Sequence, residues 1–235
     1  GILNNLQGMV EQNVLLGDIR SDLAATTTYS SDSVSDIANF RRQPDGDNLL
    51  LNRSAYYKVI NQCNFYLSTV KVDEKKNNDY YMRREAAQVM LIRAWVYMQL
   101  VQNYQEVPFI TQPVSNANTG WETESPEGVI NADNILEKLL PSCELARAYE
   151  VECGLPNYGD FYPAGQSGGI TISHSYMLFP SDLVIADLYL LSGRDKSDYV
   201  NAAKNYYKYF KDHSAKSIAL GTAATYDKTY TKIGG

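Results

Sequence analysis

The sequence contains 235 residues, with 21 Lys and Arg against 27 Asp and Glu, so its net charge is −6. An acidic chain is poorly suited to bind the phosphate backbone of nucleic acids or an anionic membrane surface. The length is sufficient to bury a sizeable core, while no apolar run approaches the roughly 18 residues that span a bilayer. These features predict a folded protein that does not bind nucleic acid.

The first predicted helix covers residues 3–20, where apolar residues recur three or four positions apart. The residues expected to face inward are Leu3, Leu6, Val10 and Val14. Residues 21–48 are rich in Ser, Thr, Asp and Asn, which indicates loop or short irregular structure. Helical spacing then returns from Asn48 to Val70 and predicts a second helix.

The segment from about Tyr80 to Tyr104 carries the strongest helical signal, with apolar residues on most of its circumference. A helix of this kind is buried between neighbouring helices. Val107 and Pro108 end it, because proline cannot continue a helix and favours an extended conformation in the residue before it.

Residues 109–127 are loop-like, with Ser125 as the predicted cap of a short helix that starts at Pro126. A further helix is expected from about Asn131 to Glu150. Because Pro141 falls inside it, the sequence predicts a kink or a break there.

A second irregular segment, residues 151–174, combines glycines and prolines with aromatic residues. This composition suits a loop that covers the core or presents rings to a ligand. Two helices follow, from about His174 to Leu191 and from Ser197 to Asp212, with Gly193 as the C-cap between them. In the last helix, Ala202 permits close approach of its neighbour. Other residues repeat beside it at helical spacing: Tyr199, Ala203, Tyr206 and Phe210.

An antiparallel helix pair with small residues at the crossing is typical of tetratricopeptide-type repeats. The sequence therefore predicts an all-α fold of helical-repeat, tetratricopeptide-like antiparallel helix pairs joined by long irregular loops. We expect residues 1–235 to form a single α-helical domain.

The residues predict no metal, no cofactor and no catalytic group. His174 and His213 have no second ligand at zinc-binding spacing, and no GxSxG, HExxH or phosphate-binding glycine loop occurs. Three cysteines are present, without CxxC spacing: Cys63, Cys143 and Cys153. The last two either form a disulfide in an oxidising compartment or remain buried thiols.

Residues 56–110 resemble the SusD/RagB family, the nutrient-binding lipoproteins of Bacteroidetes. The similarity is carried by four blocks: Tyr57-Lys58-Val59-Ile60-Asn61-Gln62-Cys63-Asn64, Glu85-Ala86-Ala87, residues 91–100 (LIRAWVYMQL) and Tyr104-Gln105-Glu106-Val107-Pro108-Phe109. The last three are similar to the "EA..LRA..Y..L...YG.VP" stretch of the family. Weaker similarity extends over most of the chain.

The sequence departs from the family pattern at three points. Gln105 stands where the family usually has glycine, which predicts a locally different turn. The chain ends at Gly234-Gly235, whereas family members continue past the last helix pair, so we expect that it lacks the family's C-terminal portion. The lipid-bearing N-terminal cysteine of the family is absent as well.

The polar residues of the family-like blocks have a structural interpretation. Arg93 is expected to pair with Glu85 or with a loop carboxylate. Asn61 and Asn64 are expected to hydrogen-bond the main chain where helices cross. The residues that reveal the family are thus predicted to build the scaffold rather than the ligand site.

The resemblance implies a non-catalytic protein that captures a nutrient, most simply an oligosaccharide, and passes it to a TonB-dependent outer-membrane transporter. It implies a surface-exposed lipoprotein of the outer membrane, attached only through an N-terminal lipid anchor that has been removed from this chain. No cofactor is implied.

Sugar binding requires aromatic rings against the apolar faces of the sugars and polar groups for their hydroxyls. The candidates outside the predicted helical cores are Trp121, Tyr158, Phe161 and Tyr162 as ring platforms, and Arg20, Asp22, Asn39 and Arg41 as polar partners. Each ring has an alternative role, since aromatic residues of exposed loops often fix their own loop.

Two other functions remain open. The first is a helical-repeat scaffold that binds only protein through its concave face. The second is a helical glycoside hydrolase, which needs two carboxylates across a cleft. The available carboxylates are Asp160, Glu122, Glu124 and Asp182.

Overall fold

The computed structural model describes residues 1–21, 25–39, 48–115, 125–157 and 178–212. Within these ranges the fold is all-α apart from one small sheet. The helices are α1 (Ile2–Arg20), α2 (Asp32–Ala38), a 3₁₀ turn (Leu49–Leu51), α3 (Ser54–Thr69), α4 (Tyr81–Tyr104), α5 (Ile135–Cys153), α6 (Ser181–Ser192) and α7 (Lys196–Asp212). The sheet pairs β1 (Val107–Pro108) with β2 (Val129–Ile130) in antiparallel register, Val107 opposite Ile130.

Consecutive helices from α3 to α7 pack as antiparallel neighbours. Arg83 at the start of α4 is ion-paired with Glu152 at the end of α5, with 2.5 Å between nitrogen and oxygen. In the turn between α6 and α7, Ser192 at the end of α6 donates a 2.9 Å hydrogen bond to Asp198 at the start of α7. The predicted tetratricopeptide-like helix pairs are thus confirmed.

Helix α4 is the centre of the core, as its apolar circumference predicts. It packs against α3, α5 and α6, and most of its length is buried. Tyr97 is fully buried, and its hydroxyl donates to the carbonyl of Ile110 (2.9 Å) and accepts from the N–H of the same residue (2.7 Å). The core helix is thereby joined to the segment that follows β1.

The predicted inner face of α1 is correct for Leu6 and wrong for Leu3, Val10 and Val14. The buried residues are Leu6, Met9, Leu16 and Ile19, whereas Leu3, Val10 and Val14 are 38%, 38% and 51% exposed. The true face contains a polar residue, Asn13, which donates to Gln99 of α4 (3.0 Å) and accepts from Tyr56 of α3 (3.1 Å). The prediction failed because the buried face of α1 includes this hydrogen-bonded amide, so apolar spacing alone does not identify that face.

Two loop predictions also differ from the structure. Residues 21–48 contain the helix α2, capped by Ser31, whose hydroxyl accepts from the N–H of Val34 (3.4 Å). Conversely, no helix starts at Pro126, and the chain forms a turn there. Ser125 bonds the carbonyl of Phe109 as well as the N–H of Glu127, so its hydroxyl holds the turn against the segment after β1.

Helix α5 extends beyond its predicted end and runs through Pro141 without a break. Pro141 lies on the exposed side of the helix, and residues 151–153, predicted as irregular, form its last turn. The next helix, α6, starts at Ser181, after Pro180 in an extended conformation at its N-cap. The predicted start at His174 lies outside the described residues.

The turn between α6 and α7 follows the prediction. Gly193 is the C-cap of α6 in the left-handed conformation, with φ of 45°. In α7, Ala202 is buried at the helix crossing as expected. Tyr199 and Phe210 are 52% and 53% exposed. Tyr206, another residue of the predicted repeat, contacts α6 through its hydroxyl, which donates a hydrogen bond to Asp187.

The cysteines described by the structure are free thiols. Cys143 and Cys153 lie ten residues apart on α5, which corresponds to about 15 Å along a helix. This separation excludes the disulfide alternative. Burial raises the pKa of both Cys63 and Cys143 to about 12.

Candidate functional site

A cleft of about 420 Å³ lies between the first two turns of α3 and residues 109–115, a segment that we call the strap. Small-molecule sites typically measure about 300 to 1,000 Å³. The residues that line the cleft are Asn52, Arg53, Ser54, Tyr57, Lys58, Ile60, Asn61, Asn64, Ile110 and Val114. The cleft combines an apolar wall with amide, hydroxyl and cationic groups.

Two amides of α3 hold the strap in place. Asn61 donates to the carbonyl of Val114 (2.9 Å) and accepts from its N–H (2.7 Å). Asn64, one turn further along α3, is buried and donates to the carbonyls of Ile110 and Gln112, both at 3.1 Å. These bonds confirm that the two asparagines of the family-like block bind main chain and build the scaffold.

Arg93 completes this arrangement from α4. Among the described residues it donates to the amide oxygen of Asn64 at 2.8 Å. Of the two predicted alternatives, a loop carboxylate is represented by Glu127: burial lowers the pKa of Arg93, and the charge of Glu127 acts to raise it. The predicted pairing with Glu85 is wrong. The reason is register: Glu85 lies two helical turns before Arg93 on the same helix, out of reach. The Arg93 guanidinium fixes the Asn64 side chain so that its NH₂ group points to the strap.

The strap is also anchored on its other side, by Glu127. The N–H and the hydroxyl of Thr111 donate to the two carboxylate oxygens, at 2.8 and 2.6 Å. Both oxygens of the Glu127 carboxylate therefore hold the strap in place.

Tyr57 provides the aromatic part of the cleft wall. Its hydroxyl donates to the carbonyl of Pro108 at 2.7 Å, which fixes the plane of the ring. Burial raises the pKa of Tyr57, and the positive charge of Arg53 opposes this shift. The phenol is consequently neutral at physiological pH and acts as a ring rather than as a charge.

Arg53 and Lys58 are the charged residues of the cleft lining, and both are positive. The Arg53 guanidinium lies 5.9 Å from the centroid of the Tyr104 ring, while Lys58 is exposed. Arg53 and Ser54 also mark the start of α3, where the helix dipole contributes positive potential. The electrostatics of the cleft are therefore those of a cationic site.

The structure places two of the eight sequence-predicted ligand residues. Arg20 donates to the carbonyl and to the side-chain oxygen of Asn103, at 3.0 and 3.3 Å. Asn39 follows α2 and donates to the carbonyl of Ser35 at 2.7 Å. Neither lines the cleft. The other six lie outside the described residues: Asp22, Arg41, Trp121, Tyr158, Phe161 and Tyr162.

The sequence interpretation missed Arg53, Tyr57 and Lys58 as candidates. Tyr57 and Lys58 belong to the block that resembles the family and were assigned to the scaffold with it. A usable signal was present, since two cations flank an aromatic residue within six positions, with no carboxylate among them.

The residues considered for metal binding and for hydrolysis can be followed only in the part of the chain that the structure describes. Across these ranges no cluster of His, Cys, Asp or Glu could hold a metal ion, and no helix among them is both long and apolar enough to cross a membrane. Asp182, a carboxylate considered for hydrolysis, is ion-paired with Arg147 (3.3 Å) and Lys208 where α5, α6 and α7 meet. Asp160, Glu122 and Glu124 lie outside the described residues.

Comparison with known proteins gives two matches. Residues 3–135, more than half of the chain, match the model of a SusD-like family that is described as starch-binding and associating with the outer membrane. The crystal structure of a SusD-like carbohydrate-binding protein from Bacteroides fragilis NCTC 9343 aligns with 86% of this chain at 16% identity, with a TM-score of 0.47. The chain spans 40% of that protein. Among curated proteins, none matches the sequence.

Proposed function

Because the chain belongs to the SusD-like family, we propose that it is a non-catalytic glycan-binding protein of the outer membrane surface. In this role it captures an oligosaccharide and passes it to a TonB-dependent transporter. Glycan binding requires a complementary surface and hydrogen bonds but no covalent chemistry.

The observation that carries the proposal is the composition of the cleft. Tyr57, Ile60 and Val114 offer an apolar wall for the faces of sugar rings. Arg53, Lys58 and the Asn52–Ser54 turn offer polar groups for hydroxyls along its edge. A volume of about 420 Å³ in an open cleft is large enough for one or a few sugar units of a glycan chain.

The cleft is rigid on both walls, which favours binding. The strap is hydrogen-bonded to Asn61 and Asn64 on one side and to Glu127 on the other. A preformed wall loses little conformational entropy when a ligand binds. The ligand therefore meets a site whose geometry exists before it arrives.

We also propose the aromatic residues outside the described ranges as ring platforms. Trp121 belongs to residues 116–124, the segment that follows the strap directly in the chain. Tyr158, Phe161 and Tyr162 belong to the later segment 158–177. The polar partners proposed with them are Arg20, Asp22, Asn39 and Arg41.

The first test is calorimetry of this chain against a panel of soluble plant, host and microbial glycans. We expect one glycan class to bind, and the Trp121→Ala variant to bind it at least about tenfold more weakly. Tyr207→Ala is the matched control, because Tyr207 is 68% exposed on α7, away from the cleft. Silence across the entire panel contradicts a glycan-binding function, while unchanged affinity in Trp121→Ala removes only that residue from the site.

The transfer step has a separate test. Affinity purification from outer membranes of cells that express the tagged, lipid-anchored protein should recover a TonB-dependent transporter. Recovery of the protein without any such transporter, under conditions that preserve other outer-membrane complexes, contradicts the partner but leaves glycan binding intact.

A further inference from the structure

The charge of the cleft is opposite in sign to the charge of the whole chain. The chain carries a net charge of −6, whereas the described residues that line the cleft include Arg53 and Lys58 and, among those residues, no Asp or Glu. At physiological ionic strength, charges more than about 8 Å apart are largely screened. A group bound in the cleft therefore senses the two cations more strongly than the acidic surface elsewhere.

Arg53 and Lys58 both have N–H groups that can bind a ligand in the cleft. Within the described residues no carboxylate forms an ion pair with Arg53 or Lys58. The central carbon of the Arg53 guanidinium lies over the Tyr104 ring, 5.9 Å from its centroid, and a guanidinium carries five N–H donors. Glu127, the carboxylate that anchors the strap, accepts hydrogen bonds from Thr111 and does not line the cleft.

We infer, on the basis of the proposed glycan-binding function, that this cleft selects acidic glycans, whose sugars carry carboxylates. The Arg53 guanidinium binds a sugar carboxylate through paired N–H groups, and Lys58 supplies a second positive charge one turn along α3. Tyr57 and the apolar wall contact the ring that carries the carboxylate. A neutral glycan leaves the two cations without a partner of opposite charge.

The test compares glycans that differ only in charge. Tetragalacturonate and its fully methyl-esterified form make one pair, and a hyaluronan tetrasaccharide and its carboxyl-reduced form make a second. Calorimetry should show at least about tenfold tighter binding of the acidic member of a pair. This preference should shrink as the salt concentration rises from about 0.02 to about 0.2 M.

Variants assign the preference to the cleft. Lys58→Gln should weaken binding of the acidic glycan about fivefold. Lys204→Gln on α7 makes the same change in net charge on an exposed lysine outside the cleft and should have no effect. Ser54→Glu adds a carboxylate to the cleft edge at the first residue of α3, where an acidic side chain favours the helix. It should therefore preserve or raise the melting temperature while lowering the affinity for the acidic glycan.

The outcomes distinguish failure of the charge selection from failure of glycan binding as a whole. Equal or tighter binding of the neutral members, or binding of a neutral glycan of the broader panel while neither acidic glycan binds, overturns the charge selection and leaves glycan binding intact. Equal losses in the Lys58 and Lys204 variants also overturn it, because the effect then belongs to net charge. Failure of every glycan, neutral and acidic, contradicts the proposed function itself.

Discussion

Replacing Asn64 with alanine removes three hydrogen bonds at once from the buried wall of the cleft. Its NH₂ group is bonded to the carbonyls of Ile110 and Gln112, and its oxygen accepts from Arg93. The Ile110 carbonyl keeps the Tyr97 hydroxyl as a partner, so its loss is small. The Gln112 carbonyl loses its hydrogen bond from the Asn64 amide, and the Arg93 guanidinium loses the Asn64 oxygen as its acceptor. Hydrogen bonds to charged groups contribute about 1.5 to 3 kcal/mol and neutral ones about 1 kcal/mol.

Asn64→Ala should therefore lower the free energy of unfolding by about 3 kcal/mol, as measured by urea denaturation followed by circular dichroism. Asn61→Ala is the matched control, since Asn61 lies one turn earlier on α3 and also makes two bonds to the strap. Asn61 is only partly buried, so water can replace its bonds, and the expected loss is about 1 kcal/mol. A loss for Asn64→Ala no larger than that for Asn61→Ala would refute the assignment of the buried amide as the main anchor of the strap.

Three further predictions concern backbone conformation and pH. Gln105 has φ of 67° and ψ of −57° in a strained γ-turn, so Gln105→Gly should stabilise the protein by about 1 kcal/mol. Gln102→Gly, at an exposed position in the last turn of α4, should instead destabilise it, by up to about 1 kcal/mol. An equal effect of the two changes in urea denaturation would contradict the strain. At Gly193, with φ of 45°, an added Cβ would lie 2.8 Å from a tyrosine hydroxyl, so Gly193→Ala should cost about 1 to 2 kcal/mol; an unchanged melting temperature would count against this turn. Burial raises the thiol pKa of Cys63 and Cys143 from 9.0 to about 12, so the stability that their neutral forms contribute is complete below about pH 9 and is lost as the pH rises towards about 12. The urea midpoint should fall between about pH 8 and about pH 10.5, and a Cys63→Ala/Cys143→Ala variant should fall less over the same interval.

The helices could be predicted where apolar residues alone form the packed face. Helix α4 comes close to such a case, because its buried residues are apolar apart from Gln88 and it ends at Tyr104, shortly before Val107 and Pro108. Helix α1 is the opposite case. Asn13 occupies its inward face and satisfies its polar atoms with Gln99 and Tyr56, and spacing cannot reveal a partner that is distant in sequence.

The same limit applies to the cleft. The block from Tyr57 to Asn64 was recognisable as family-like and as scaffold, and the hydrogen bonds of Asn61 and Asn64 to the strap bear that out. The cleft itself arises from the approach of the strap to α3, a contact across about 50 residues of sequence. The order of residues in the chain does not reveal that the strap approaches α3. The structure was therefore needed to show that Arg53 and Lys58 line a cleft.

The position of Gln105 links sequence, strain and site. The residue after α4 takes a positive φ, a conformation that favours glycine, and glycine is the residue usual at this place in the family. The turn directs the chain from the core helix into β1 and then into the strap. Strain at this turn is therefore maintained by the packing and hydrogen bonds on either side of it, above all those of Tyr97 and Asn64 with Ile110.

Hydrogen–deuterium exchange with and without saturating glycan tests the central claim most directly, because it reports where the ligand binds. The probe is the glycan of the calorimetric panel with the highest affinity. The account predicts slower exchange in residues 52–61 and 109–115, with no change in α7. Protection confined to α5, α6 or α7, with the strap and the start of α3 unchanged, would contradict the assignment of the cleft as the glycan site.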